Sequence, residues 1–181
     1  MRSTQQQTPA AVAVVVMFAG DGVPCVPIFQ RTSDMSRHAG QMALPGGKLH
    51  GAEDAVTCAI RELREELGLE IPPDGVLGQL DDFDTRSGFT IRPVVLWAGA
   101  EHVVLVPSRF EVARLFVVPL TELKAAVGGA PPGESQQFSL HLREVEVFAP
   151  TAAILYQFSE VALGGRAVRV AGFYQPPWTH R

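Results

Sequence analysis

Between Gly47 and Leu69 the chain reads GKLHGAEDAVTCAIRELREELGL, and its stretch from Asp54 to Leu67 has the pattern of a helix buried along one side. At about 100° per residue, Val56, Ala59, Ile60, Leu63 and Leu67 form one apolar stripe. Glu66, Glu62 and Glu65 fall in that order over an adjoining arc of about 100°. Gly68 is placed as a helix C-cap. Leu44-Pro45-Gly46-Gly47 ahead of the helix reads as a turn with free backbone dihedrals, where an oxygen ligand or a phosphate can approach the main chain. Carboxylates at i, i+3 and i+4 repel one another by a few tenths of a kcal/mol per pair, roughly, in water. A hard divalent cation with oxygen ligands relieves that repulsion. Read alone, the REXXEE string also suits an amphipathic surface helix in which Arg61 and Arg64 pair some of the glutamates.

The segment resembles the Nudix box, G-x5-E-x7-R-E-U-x-E-E-x-G-U with U an aliphatic residue, at every specified position from Gly47 to Leu69. The resemblance implies an α/β fold, a mixed β-sheet sandwiched between helices. It implies an enzyme that hydrolyses a nucleoside diphosphate linked to another group, with Glu62, Glu65 and Glu66 as ligands of Mg2+ or Mn2+ and the Gly47 carbonyl as an added one. It further implies that Arg61 and Glu53 orient helix and loop through an ion pair.

Composition narrows the setting. At 181 residues, 46% hydrophobic, the chain suits one sizeable core and is short for two. A flexible tail over residues 1–9 and a single domain over 10–181 are expected. A net charge of −4 with scattered arginines offers no general attraction to nucleic acid. The apolar run Ala10–Ala19 is too short to span a bilayer, and no leader pattern precedes it, so a cytoplasmic protein without a membrane partner is expected. Cys25 and Cys58 lack metal-ligand spacing and read as small buried apolar residues. A homodimer stays open.

Elsewhere the chain alternates strand and turn signals. Ala11–Ala19 and Val23–Arg31 read as a hairpin around Gly20-Asp21-Gly22, with Pro24 and Pro27 placing the second strand at an edge or making it irregular. Ser33–Gln41 reads as a polar loop and Met42–Leu44 as a short strand. Strands follow at Val76–Phe83, Phe89–Ala98 and Val112–Val118, with a tight loop at Asp84–Gly88. A short helix is expected over Thr121–Val127, a Gly/Pro-rich turn over Gly128–Ser135, and a strand pair within Phe138–Phe148. A long helix over Thr151–Leu163 shows apolar residues at Ala152, Leu155, Tyr156 and Val161. Trp97 reads as core.

Substrate choice lies outside the box. Residues 30–47, QRTSDMSRHAGQMALPGG, resemble the segment typical of coenzyme A diphosphatases through Arg31, Thr32, Met35, His38, Gly40 and Pro45. Ser36 stands where many members carry arginine, with Arg37 beside it, and Leu44 replaces the usual phenylalanine. Shorter pieces at Thr85–Phe89, Glu111-Val112 and Pro150–Leu155 extend the likeness over roughly residues 28 to 160. The implied reaction is hydrolysis of coenzyme A or an acyl-CoA to 3′,5′-ADP and 4′-phosphopantetheine. ADP-ribose, a nucleotide sugar or a damaged nucleoside triphosphate are alternative substrates, and a non-catalytic nucleotide sensor is an alternative of another class. Substrate contacts are expected from Arg31, Arg37, His38, Gly46 and Gly47, since arginines make forked contacts with phosphate. Solvated surface arginines and a structural loop histidine are the plainer alternatives for Arg31, Arg37 and His38. One of Glu62, Glu65 and Glu66 can serve as general base, and the sequence does not distinguish which. Glu111, on an expected mobile loop, is a candidate further ligand or base. Lys48 and the other histidines read as solvated or structural.

Overall fold

The computed structural model describes residues 7–33, 40–72, 74–128, 138–170, 173 and 175. A mixed eight-stranded sheet forms its middle layer. Strands β1 (Thr8–Phe18), β2 (Pro24–Arg31), β3 (Met42–Ala43), β4 (Gly46–Lys48), β5 (Val76–Gln79), β6 (Phe83–Asp84), β7 (Phe89–His102) and β8 (Val112–Pro119) belong to it. The main path runs β3-β2-β1-β7-β5, with β4 on β1, β6 on β7 and β8 on β2. β1 and β7 pair in parallel from Thr8↔Phe89 to Val16↔Trp97, and the other pairings are antiparallel. Helices α1 (Ala55–Leu67), α2 (Leu120–Val127) and α3 (Thr151–Phe158) and the small sheet of β9 (Ser139–Leu142) and β10 (Val145–Phe148) complete it.

The layering follows from the period-two alternation of β1. Ala11, Ala13 and Val15 pack with Cys58, Ala59, Leu63 and Leu67 of α1 on one face. Val12, Val14 and Val16 pack on the other face, in a cluster that includes Leu123 of α2, Leu140 and Val147 of the small sheet, and Ile154 and Leu155 of α3. Two apolar clusters on opposite faces of one sheet make the expected α/β/α sandwich. Among the described residues no helix is long and apolar enough to cross a membrane.

Several sequence expectations need correction. Gly46 and Gly47 are a strand, not a turn: β4 pairs with β1 through Val12↔Gly46 and Ala11↔Gly47. Glycine there serves close approach, because a Cβ on Gly46 would lie 2.4 Å from the Ala11 carbonyl oxygen. Of the two readings of β2, the edge position is corrected and irregularity is present: the strand is interior, flanked by β8 along its length and by β1 and β3 at its two ends, and its register with β8 shifts between Gln30 and Arg31. Pro27 is tolerated because it falls between the β1 pairing at Pro24 and Cys25 and the β3 pairing at Phe29 and Gln30. The expected strand Val76–Phe83 is two strands, and β1 takes in Thr8 and Pro9 from the expected tail. Trp97 is half-buried, edge-on to Phe18. α3 is buried on every side and continues as a π-helical segment, Ser159–Leu163, in which Val161 is exposed. Most of the Gly/Pro-rich turn, residues 129–135, lies outside the described residues.

Candidate active site

The α1 helix is clamped at both ends. Asp54 caps its start by accepting the Thr57 N–H at 2.8 Å. Gly68 ends it at φ 65, a left-handed conformation that glycine adopts without strain. Past that cap, the amides of Val106 and Ser108 donate to the Leu67 and Glu66 carbonyls, both at 2.8 Å. The segment after β7 thus satisfies helix-end carbonyls that would otherwise face solvent. Glu111, expected on a mobile loop, is anchored on this segment: its N–H donates to the Ser108 carbonyl, and its own carbonyl accepts the Thr32 N–H.

Arg61 gathers the carboxylates. Its Nε and Nη2 donate to the two oxygens of Glu53 at 2.9 and 3.0 Å, a two-pronged ion pair across the 50–53 turn. Its Nη1 donates to Glu62 at 2.8 Å and to Glu65 at 3.2 Å, and Nη2 reaches the Lys48 carbonyl at 3.2 Å. The hydrogen bonds from Arg61, and then the His50 N–H, hold the Glu53 carboxyl down at about 2. Glu53 in turn is the main reason the Arg61 guanidinium keeps its proton even more firmly than usual.

Glu66 is set apart from its neighbours. It is only 1% exposed, its Oε2 accepts the Gly46 N–H at 2.8 Å, and its Oε1 lies 3.7 Å from Nη1 of Arg31. Burial pushes its carboxyl up to about 8; the Gly46 amide and Arg31 oppose the rise, and Glu62 and Glu111 add to it. Glu62 stands against Gly47, where a Cβ would sit 2.1 Å from its Oε1. Glycine at position 47 therefore makes room for a carboxylate. Cys58 lies beneath, its Sγ donating to the Gly47 and Lys48 carbonyls, and burial raises its thiol to about 11. Both cysteines are free and buried, as their spacing led one to expect.

The structure thus brings together Glu53, Arg61, Glu62, Glu65, Glu66, Gly46, Gly47 and Arg31, with Glu111 nearby. Arg37 and His38 lie outside the described residues. Lys48 is exposed, with its ammonium 5.4 Å from the Phe89 ring centre. Among the described residues no trio of acidic, histidine or cysteine groups already converges on one point. Glu62 and Glu65 instead share the Arg61 guanidinium, and Glu66 is turned to the Gly46 amide. The donor set is nonetheless oxygen throughout, and among the described residues the one counter-charge paired with a deprotonated, buried Glu66 would be Arg31 at 3.7 Å. Those features fit a hard divalent cation. Sequence reasoning missed the Gly46 N–H as the group that holds Glu66, and a backbone amide leaves no sequence signal beyond the glycine itself.

A family model described as NUDIX domain matches residues 7–157. An uncharacterized Nudix hydrolase, NudL, from Pectobacterium atrosepticum is 34% identical over 168 residues, which cover 88% of this chain and 85% of that protein. The mitochondrial coenzyme A diphosphatase NUDT8 of Homo sapiens is 38% identical over 119 residues, 64% of this chain. That match spans 50% of the length of the human relative. Among solved structures, a Nudix hydrolase from M. smegmatis, RenU, superposes with a TM-score of 0.59 at 20% identity over 90% of this chain and 89% of its own.

Proposed function

The chain belongs to the Nudix family of hydrolases, which act on phosphorus-containing anhydrides and generally need a divalent metal ion, and from that premise we propose that it cleaves the diphosphate of coenzyme A. Water adds to one phosphorus, the bridging P–O bond breaks, and 3′,5′-ADP and 4′-phosphopantetheine leave. We place the enzyme in the cytoplasm, acting on this small molecule.

The observation that carries the reading is Arg31. It ends β2 against the innermost carboxylate of the cluster, largely buried, and its Nε is buried with no hydrogen-bond partner among the described residues. An unsatisfied buried N–H costs about 1–3 kcal/mol, so such a donor is placed for a partner that arrives from outside. A diphosphate oxygen is the matching acceptor. The likeness of residues 30–47 to coenzyme A diphosphatases and the similarity to the human relative support the same substrate.

In this mechanism Glu62, Glu65 and Glu66, with the Gly47 carbonyl, would hold Mg2+ or Mn2+. Bound there, such an ion would supply charge neutralisation for the phosphates and make the attacking water easier to deprotonate. The protein's own groups do the positioning. Gly46 fixes Glu66 through its N–H, Arg61 keeps Glu62 and Glu65 on one side of the helix, and Glu53 fixes Arg61. Arg31, with Arg37 and His38, grips the phosphates, and a carboxylate of the cluster accepts the proton of the attacking water.

The test is turnover on a panel of coenzyme A, dephospho-coenzyme A, ADP-ribose, NADH, diadenosine polyphosphates and nucleoside triphosphates with Mg2+ or Mn2+. Coenzyme A should be cleaved fastest and dephospho-coenzyme A more slowly. Arg31→Ala should lower kcat/KM on coenzyme A by about ten- to a hundredfold, the loss of one charge-assisted phosphate contact. Turnover of ADP-ribose or a nucleoside triphosphate with coenzyme A left intact would overturn the substrate and leave the diphosphatase.

A further inference from the structure

Phe110 is the most exposed large apolar residue among the described residues, at 78%. Single exposed apolar side chains are common on protein surfaces; this one differs in how it is held and where it stands. The Ser108 carbonyl accepts the N–H groups of Glu111 and Val112 at 3.2 and 2.9 Å, and the Glu111 carbonyl accepts the Thr32 N–H at 3.1 Å. The Phe110 carbonyl itself accepts the Thr32 hydroxyl at 3.0 Å. A ring with two rotatable bonds on a backbone fixed in this way loses little freedom when a partner covers it. The Arg109 guanidinium lies 5.6 Å from the ring centre, and among the described residues no carboxylate pairs with Arg109.

Its place is set by the sheet. Arg31 pairs with Val112 where β2 meets β8. Phe110 precedes Val112 by two residues, at most about 7 Å of chain. Glu111, between them, is near enough to Glu66 for its charge to act on that carboxylate. In a nucleoside diphosphate ester a single ribose separates the diphosphate from the base. A molecule whose diphosphate lies at Arg31 and Glu66 therefore has its base within reach of Phe110. A flat aromatic face with a cation behind it suits a planar ring better than a flexible arm.

We propose that Phe110, backed by Arg109, is the stacking platform for the adenine of the substrate. The inference rests on the diphosphatase reading above and adds to it where the nucleoside end lies and which residue holds it. Stacking tolerates changes in what the base is attached to, so the platform serves any adenine nucleotide whose diphosphate sits at the carboxylates. Phe110 touches the part of the substrate farthest from the reacting bond on the nucleoside side, and its contribution is to binding in ground state and transition state alike.

The experiment has a binding arm and a kinetic arm. Without divalent cation, 3′,5′-ADP and 4′-phosphopantetheine are titrated against the wild type and Phe110→Trp while tryptophan emission is followed. The indole added by Phe110→Trp should be quenched by 3′,5′-ADP well beyond the response of Trp97 and Trp178 in the wild type, and not by 4′-phosphopantetheine. On coenzyme A with saturating Mg2+, Phe110→Ala should raise KM by about five- to a hundredfold and keep kcat within about threefold, the pattern of lost uniform binding. Phe110→Trp should keep the wild-type KM, and Leu77→Ala, which trims another exposed apolar side chain, should change neither constant. An unchanged KM in Phe110→Ala, quenching by 4′-phosphopantetheine alone, or an altered oligomeric state in Phe110→Ala with 3′,5′-ADP binding intact overturns this inference and leaves the diphosphatase. A wild-type enzyme that spares coenzyme A and cleaves ADP-ribose overturns the coenzyme A reading alone, and KM for ADP-ribose in Phe110→Ala, with quenching of Phe110→Trp by AMP, then decides the platform.

Discussion

Gly46 and Gly47 are adjacent in sequence and equivalent in composition, yet adding one methyl group to each should have opposite consequences. A Cβ at Gly46 would lie 2.4 Å from the Ala11 carbonyl oxygen and 2.7 Å from the Val12 Cα. Both are backbone atoms of β1 inside the sheet, so the strands themselves must part. Overpacking of that kind costs about 1–3 kcal/mol, which for a chain of this size lowers Tm by roughly 3–10 °C. A Cβ at Gly47 meets the carboxylate end of Glu62 instead, with Oε1 at 2.1 Å and the carboxyl carbon at 2.6 Å. That end is the far end of a side chain and can swing away by about 1.5 Å, restoring ordinary contact with little loss of packing. Displacing a metal-binding oxygen by that distance should lower kcat by about a hundredfold. Gly46→Ala is therefore expected to reduce Tm, and Gly47→Ala to retain Tm to within roughly 3 °C while losing turnover at saturating Mg2+. Thermal unfolding and steady-state kinetics on both variants check this. Equal losses of Tm would mean that Glu62 is not the group that yields at Gly47, and wild-type turnover by Gly47→Ala would remove Glu62 from the metal site.

Four further outcomes follow from the same geometry. Glu65→Gln and Glu66→Gln should each lower kcat by about a hundredfold or more through loss of a charged ligand; near-wild-type turnover by both at saturating Mg2+ would refute the site. Arg61→Ala and Glu53→Ala should be non-additive, the double variant losing less Tm than the two singles together, because either change alone breaks the two-pronged pair. Since Glu53 is held at about 2 in the fold, below its unfolded value, the stabilisation from this pair is present above about pH 4.5 and should fade as pH falls toward 2, a difference visible in acid unfolding of wild type against Glu53→Gln. Glu66 has the opposite sign: its folded value, about 8, lies above the unfolded one. Its contribution to the metal-free protein is therefore complete below about pH 4.5 and is lost as pH rises through 8. Protein treated with a chelator should lose Tm between about pH 4.5 and 8 and level off above, Glu66→Gln should flatten that loss, and a wild-type slope in the variant would locate the titration elsewhere.

The α1 helix was legible almost to the residue because its determinants are local: Asp54 caps one end, Gly68 the other, and the apolar stripe between them has the helical period. The mixed sheet between helices was legible through the resemblance carried by the box. The strand at Gly46 and Gly47 was not, since a glycine in a strand has no side chain to show alternation and looks like a turn until its partner strand is known. The interior position of β2 was hidden for a similar reason, because prolines signal an edge unless the ladder on that side is interrupted. Within the site, residue types were readable and their inequality was not. Glu62, Glu65 and Glu66 occupy similar places in the string, but the sheet buries Glu66 and leaves the Glu65 side chain about half exposed. That difference comes from β4 and from the segment after β7, both remote from the helix pattern itself. The anchoring of Glu111 likewise depends on Thr32, which is 79 residues away in sequence.

Ala11, Ala13, Cys58 and Ala59 all lie between α1 and the sheet, and none is exposed at all. They act as a thin shim: because each contributes so little bulk, the helix rests low enough for the Gly46 amide to reach Glu66. The height of the carboxylates above β4 is thus adjusted from underneath, by side chains that never meet a substrate. Thickening the shim by one or two methyl groups would tilt or lift the whole row of ligands together. Relatives with an identical box can accordingly differ in catalytic geometry through apolar positions that a motif comparison passes over.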